Sequence, residues 1–117
     1  MTIPPALEPD LSLIRLDMIR ARHADLSDVV LRTPTVQLMS SKLSAALGGA
    51  EIHLKLECFQ HTGTFKARGA FNSLLSGDMP NIGPKAGIVA ASGGNHGAAV
   101  AYAAHKLGYK ATIFVPE

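Results

Sequence analysis

Two short segments of this 117-residue chain carry side chains that can do chemistry. The first is KLECFQHTGTFKARGAF, from Lys55 to Phe71. A helix is predicted from about Thr64 to Leu75, so Lys66 falls just inside its N-terminus. Backbone N–H groups and the helix dipole disfavour an ammonium there. A lysine held as the free amine can condense with an aldehyde to give a Schiff base. Phe65 beside it offers an apolar wall, and Gly63 lets the backbone turn tightly before the helix. On spacing alone the plainer reading of Lys66 and Arg68, as solvated helix residues, is the stronger one.

The second segment is SGGNHG, Ser92 to Gly97. Glycines between a strand and a helix bring backbone N–H groups close to an anion. Three glycines and a serine can hold a phosphate or a carboxylate, and Asn95 and His96 add side-chain donors. Neither a Walker A lysine nor a GxGxxG pattern is present, so a nucleotide is not the natural ligand. A tight structural turn explains the feature equally well.

These segments need elements to position them. Residues 1–10 are Pro-rich and read as a loose arm. From about Leu11 to Val30, apolar residues recur at helical spacing (Leu13, Leu16, Ile19, Leu26, Val29, Val30), and Thr33-Pro34 ends the segment. Ser40 or Ser41 can cap a short helix that closes on Gly48-Gly49. Ile52 to Leu56 reads as a strand, and SGDMPNIGPK as a loop. GIVAA is a short strand, AAVAYAAHKLG a helix, and ATIFV a further buried strand. Strand, Gly-rich turn, helix, strand is a βαβ unit, which calls for a parallel sheet covered by helices. Ligands of such sheets sit at the carboxyl ends of the strands, where these turns lie. A chain that stops directly after a core strand leaves that sheet without cover on one face and edge, so the sequence reads as unfinished.

Bulk composition narrows the classes. Apolar residues are 47% and charged residues 17%, as in globular proteins. Eleven basic against nine acidic residues give a net charge of +2, with no run of Lys or Arg to suit nucleic acid. Cys58 is the only cysteine, so an intrachain disulfide is impossible, and a lone thiol suits a reducing compartment. The early prolines and acidic residues do not suit a secretory segment. No window has the length of a membrane span. The expected location is cytoplasmic, without membrane or nucleic-acid partners. His23, His53 and His105 lack metal-ligand spacing, so no metal site is expected. Cys58 is read as a small packing residue rather than a nucleophile.

The combined pattern Lys55-x-Glu57-x-x-Gln60-x-Thr62-Gly63-x-Phe65-Lys66-x-Arg68-Gly69-Ala70, followed by Ser92-Gly93-Gly94-Asn95-His96-Gly97, is similar to the serine/threonine dehydratase branch of fold-type II pyridoxal-phosphate (PLP) enzymes. That branch includes threonine deaminases and serine racemases. Arg32-Thr33-Pro34 and Phe114-Val115-Pro116-Glu117 also resemble family landmarks. The resemblance implies an α/β fold of the tryptophan synthase β type, a three-layer αβα arrangement around a parallel sheet, incomplete in this chain. Residues 1–85 would then begin the larger, PLP-binding domain and residues 86–117 the smaller one. It further implies that Lys66 forms the imine with PLP and shuttles the Cα proton. Phe65 packs by the pyridine ring, and Asn95 hydrogen-bonds the phenolic oxygen. Ser92, Gly93, Gly94, Asn95 and His96 receive the substrate carboxylate. The implied reaction removes ammonia from serine or threonine to leave a 2-oxo acid. The full-length parent is expected to be a homo-oligomer.

The departures bear on the branch. Thr64 stands where the family usually has serine, and both keep the hydroxyl. Gly93 stands where serine racemases place a serine that donates a proton on the second face, which favours a dehydratase. Ala67 and Gln60-His61 stand where cysteine synthases carry an aspartate and an Asn-Pro. Another fold-type II lyase or racemase is the alternative, and a non-catalytic α/β remnant is the rival outside enzymes. Family members are much longer, with the phosphate cradle and the partner of the pyridine nitrogen placed beyond Glu117. The 117-residue chain alone is therefore expected neither to hold PLP tightly nor to turn over.

Overall fold

The structure is a computed structural model, and it describes residues 15–76 and 86–117. Helix α1 spans Leu16–Leu26, shorter than the predicted segment. Val29 and Val30 instead sit in the turn that follows and pack, partly buried, against the core. Leu13 and residues 77–85 of the predicted loop lie outside the described residues. Strand β1, Thr35–Gln37, was not expected from the sequence; it pairs antiparallel with β2, His53–Lys55, with Val36 opposite Leu54. Three residues that begin at the Pro34 break carry too little alternation to be read as a strand.

Between these strands lies helix α2, Ser41–Ala46, with Ser40 as its N-cap. The Ser40 hydroxyl accepts from the Leu43 N–H at 3.3 Å, and Gly48 and Gly49 leave the helix at positive φ. Helix α3 runs Lys66–Leu75, strand β3 Ile88–Ala91, helix α4 Asn95–Lys106 and strand β4 Ala111–Phe114. β3 and β4 pair in parallel, Ile88 opposite Ala111 through Ala91 opposite Phe114, with α4 as the crossover. This is the predicted βαβ unit. ATIFV, expected to be a buried strand, is largely open here: Phe114 is 62% exposed, and Val89 on the neighbouring β3 is 69% exposed.

The core is the seam between α3 and α4. Ala67 and Ala70 on α3 meet Ala99, Val100 and Ala103 on α4, and Phe71 is the one large side chain among them that is fully buried. Alanine at these positions lets two helices approach toward the short end of the usual ~8–10 Å interaxial range. Leu26 and Val29 close the seam on one side, and Ile88 and Ile113 from the parallel pair close it on another. The two chemically interesting turns, which precede α3 and α4, are therefore tied to one packed unit.

Candidate active site

The turn before α3 is built without regular strand or helix hydrogen bonds over most of its length. Two 3-10 turns, Glu57–Phe59 and His61–Gly63, lead into the helix. Thr62 and Gly63 are both left-handed, at φ 61° and 69°. Gly63 takes that conformation freely, whereas Thr62 does so at a cost of roughly 1–2 kcal/mol. Thr64 is 6% exposed, and its hydroxyl accepts from the Lys66 N–H at 3.4 Å. The hydroxyl kept at this position thus has a task, capping the first turn that carries the lysine.

Lys66 is the first residue of α3, which begins two residues after the predicted start near Thr64. Its Nζ sits 5.0 Å from the centroid of the Phe65 ring. No carboxylate among the described residues pairs with it. Lys66 and Phe65 line a cavity of about 410 Å³ together with Gly69, Ser73, Val89 and His96. The structure therefore brings the first segment and one residue of the second, His96, to one space.

The turn after β3 is held from both sides. The Ser92 N–H donates to the Phe114 carbonyl at 2.9 Å, and the Ser92 hydroxyl accepts from the Gly94 N–H at 3.3 Å. Gly94 is the N-cap of α4, so Asn95, His96 and Gly97 form its first turn, where N–H groups have no intrahelical acceptor. Asn95, Gly93 and Gly94 are exposed and do not line the Lys66 cavity. Gly97 is needed for close approach: a Cβ there would lie 2.4 Å from the Ser92 carbonyl oxygen and 3.0 Å from Ile113 Cγ2. Gly97→Ala is expected to cost about 2 kcal/mol, because backbone cannot yield as a side chain does. Chemical denaturation of the variant checks this; an unchanged midpoint would show slack in the turn. Gly93 is less confined, with Pro116 Cδ at 3.0 Å from a Cβ.

Lys55, Glu57 and Gln60 were motif residues with no part assigned, and Arg68, read on spacing as a solvated helix residue, is instead half-buried and ion-paired. They form a polar clasp. Arg68 Nε and Nη2 donate to the two Glu57 carboxylate oxygens at 2.8 and 2.7 Å. The Thr33 hydroxyl donates to Glu57 Oε1 at 2.5 Å, and Lys55 Nζ donates to the Thr33 carbonyl. The Arg68 guanidinium, its fork matched to the carboxylate, is the main cause that holds Glu57 down at about 2 from 4.5. Burial pushes the other way, and the Thr33 hydroxyl adds to the lowering. Glu57 in turn raises the Arg68 pKa. Tyr102 has its hydroxyl 3.0 Å from His61 Nδ1 and stacks on that ring at 4.8 Å. The signal for these contacts lay only in polar residues recurring without a helical or strand period. Cys58, read as a packing residue, is exposed.

The family model for pyridoxal-phosphate dependent enzymes matches residues 26–117. The chain belongs to that family. Over 112 residues it is 40% identical to a putative threonine dehydratase of Sinorhizobium fredii, which covers 92% of this chain and 32% of that protein. It is 44% identical over 105 residues to the L-threonine ammonia-lyase of Thermotoga maritima, with 90% of this chain and 25% of that one covered. Maize serine racemase superposes with a TM-score of 0.70 at 40% identity, over 86% of this chain and 30% of its own. The chain thus spans about a quarter to a third of the length of the relatives it matches. The fold is that of fold-type II PLP enzymes, and PLP is the family's cofactor. The residues at hand suit it: an amine without an acidic partner, an aromatic ring beside it and an open, largely apolar space. No helix among the described residues is long and apolar enough to cross a membrane.

Proposed function

We propose that this chain is part of a PLP-dependent ammonia-lyase that converts serine or threonine to a 2-oxo acid and ammonia. The observation that carries the reading is Lys66, first in its helix, unpaired by any described carboxylate and opening on a cavity that His96 also lines. PLP, when bound, draws electrons from the substrate Cα and so makes its proton acidic. Lys66 would hold the cofactor through its amine and move the proton at Cα. Phe65 would pack by the cofactor ring, and Asn95, which stands outside the Lys66 cavity in this chain, would hydrogen-bond its phenolic oxygen. The turn of Ser92, Gly93, Gly94, Asn95 and His96 orients the substrate carboxylate by its N–H groups. Gly93 has no side chain to return a proton on the opposite face, which supports elimination over racemisation. The division near residues 85 and 86 between two domains, a cytoplasmic location and a homo-oligomeric parent belong to the same proposal.

The test is borohydride reduction of the purified chain with PLP followed by peptide mapping, with serine and threonine assayed on the full-length parent. This chain is not expected to hold PLP tightly or to turn over, but reduction traps even a transient adduct, and the trapped label is expected at Lys66. Label spread over many lysines would sink the assignment of the cofactor lysine. Serine racemisation rivalling elimination would move the reading to a racemase, the activity for which the maize relative is named.

A further inference from the structure

Gln60 is only 3% exposed. Its Nε2 donates to the Leu31 carbonyl at 2.8 Å, and its Oε1 accepts from the Leu31 N–H at 3.0 Å. The same oxygen accepts from the His61 N–H at 3.0 Å. A side-chain amide that meets both polar groups of one residue mimics a strand partner. Arg68 Nη2 donates to that same Leu31 carbonyl at 3.1 Å, while its other contacts hold Glu57. One carbonyl is thus gripped from both ends of the segment that contains Lys66.

Between Gln60 and Arg68 lie the two left-handed residues, the Thr64 cap and Lys66. No strand pairing organises this stretch, so its shape must come from side chains and from closing its ends together. Neither Gln60 nor Arg68 lines the Lys66 cavity. A buried polar grip of this kind is a weak source of stability compared with apolar filler, and its better-attested use is to specify one arrangement. We propose that Gln60 and Arg68 are positioning residues: by gripping Leu31 together they fix the turn between them and aim the Lys66 amine into its cavity. The inference rests on the reading of Lys66 as the cofactor lysine.

The test compares the wild-type chain with Gln60→Met, which keeps length but loses the amide, and Arg68→Lys, which keeps charge but loses the fork. Each is incubated with PLP, reduced with borohydride and mapped by mass spectrometry, with far-UV circular dichroism reporting the fold. The readout is the label on Lys66 relative to Lys106 in the same molecules, a ratio that lowered stability alone leaves unchanged in a folded sample. A fall of about tenfold is expected in both variants, since small misplacements of a reacting group cost large factors. An unchanged ratio in the folded variants overturns the proposal and leaves the cofactor lysine standing. No preference for Lys66 in the wild type sinks that reading and the proposal with it. If neither variant folds, amide exchange in the wild type decides: slow exchange at Leu31 and His61 supports the grip, and exchange at the free-peptide rate overturns it.

Discussion

Lys66→Ala is expected to remove the borohydride-trapped pyridoxyl label from this chain. Where the chain takes part in turnover, the lyase rate should fall by at least about 10³-fold, as for loss of a covalent catalyst. Lys66→Arg should fail as completely, because a guanidinium keeps its proton and cannot condense with an aldehyde. The fold should survive both changes. Lys66 is exposed, makes no ion pair with a described residue, and lies outside the alanine seam. Peptide mapping of the reduced adduct together with a thermal melt checks both halves of this expectation. Label retained at the wild-type level in Lys66→Ala would place the reacting amine elsewhere.

That position was legible in the sequence because its signal is local. A lysine near the start of a helix, after a glycine that must turn, depends on neighbours within a few residues, and α3 begins at Lys66, within two residues of the expected start. The βαβ unit was legible for the same reason, since Ile88–Ala91 and Ala111–Phe114 flank an Ala-rich helix of helical period. The antiparallel partnership of Thr35–Gln37 with His53–Lys55 was not, because it joins three-residue strands across α2. The clasp was hidden by a similar distance. Thr33 meets Glu57 across 24 residues and Leu31 meets Gln60 across 29, and no periodicity encodes which polar pairs will meet. Within the second segment, the pattern pointed to one cradle, yet only His96 reaches the cavity of Lys66 while Asn95 stands outside it.

Glu57→Gln is expected to destabilise the chain by about 2–3 kcal/mol. It removes the charge that partners a half-buried Arg68, and hydrogen bonds to charged groups are worth about that much. In a domain of this size the thermal midpoint should drop by roughly 10 °C. The wild-type protein should also show an acid transition that the variant lacks. The Glu57 carboxyl titrates at about 2 in the folded chain against 4.5 ordinarily. A depressed carboxyl adds stability that is complete above the ordinary value and is lost as the pH falls through the folded one. The window is therefore from about 4.5 down to about 2, and the whole effect is about 3 kcal/mol at most. Urea midpoints measured across that window decide the matter. Parallel wild-type and Glu57→Gln curves would mean that the ion pair contributes nothing to the pH dependence.

Ala67, Ala99 and Ala103 are 0% exposed in the seam between the helices that carry the two site segments. Any larger side chain there must pry α3 from α4, and so displace Lys66 relative to the turn at Asn95. In a saturation mutagenesis screen scored by growth, these three alanines would then tolerate almost nothing except glycine or serine. Their profile would resemble that of a reacting residue, although none of them lines the cavity. Intolerance to substitution at such positions measures the clearance between two helices, and a ranking by mutational sensitivity alone would mistake spacers for reagents.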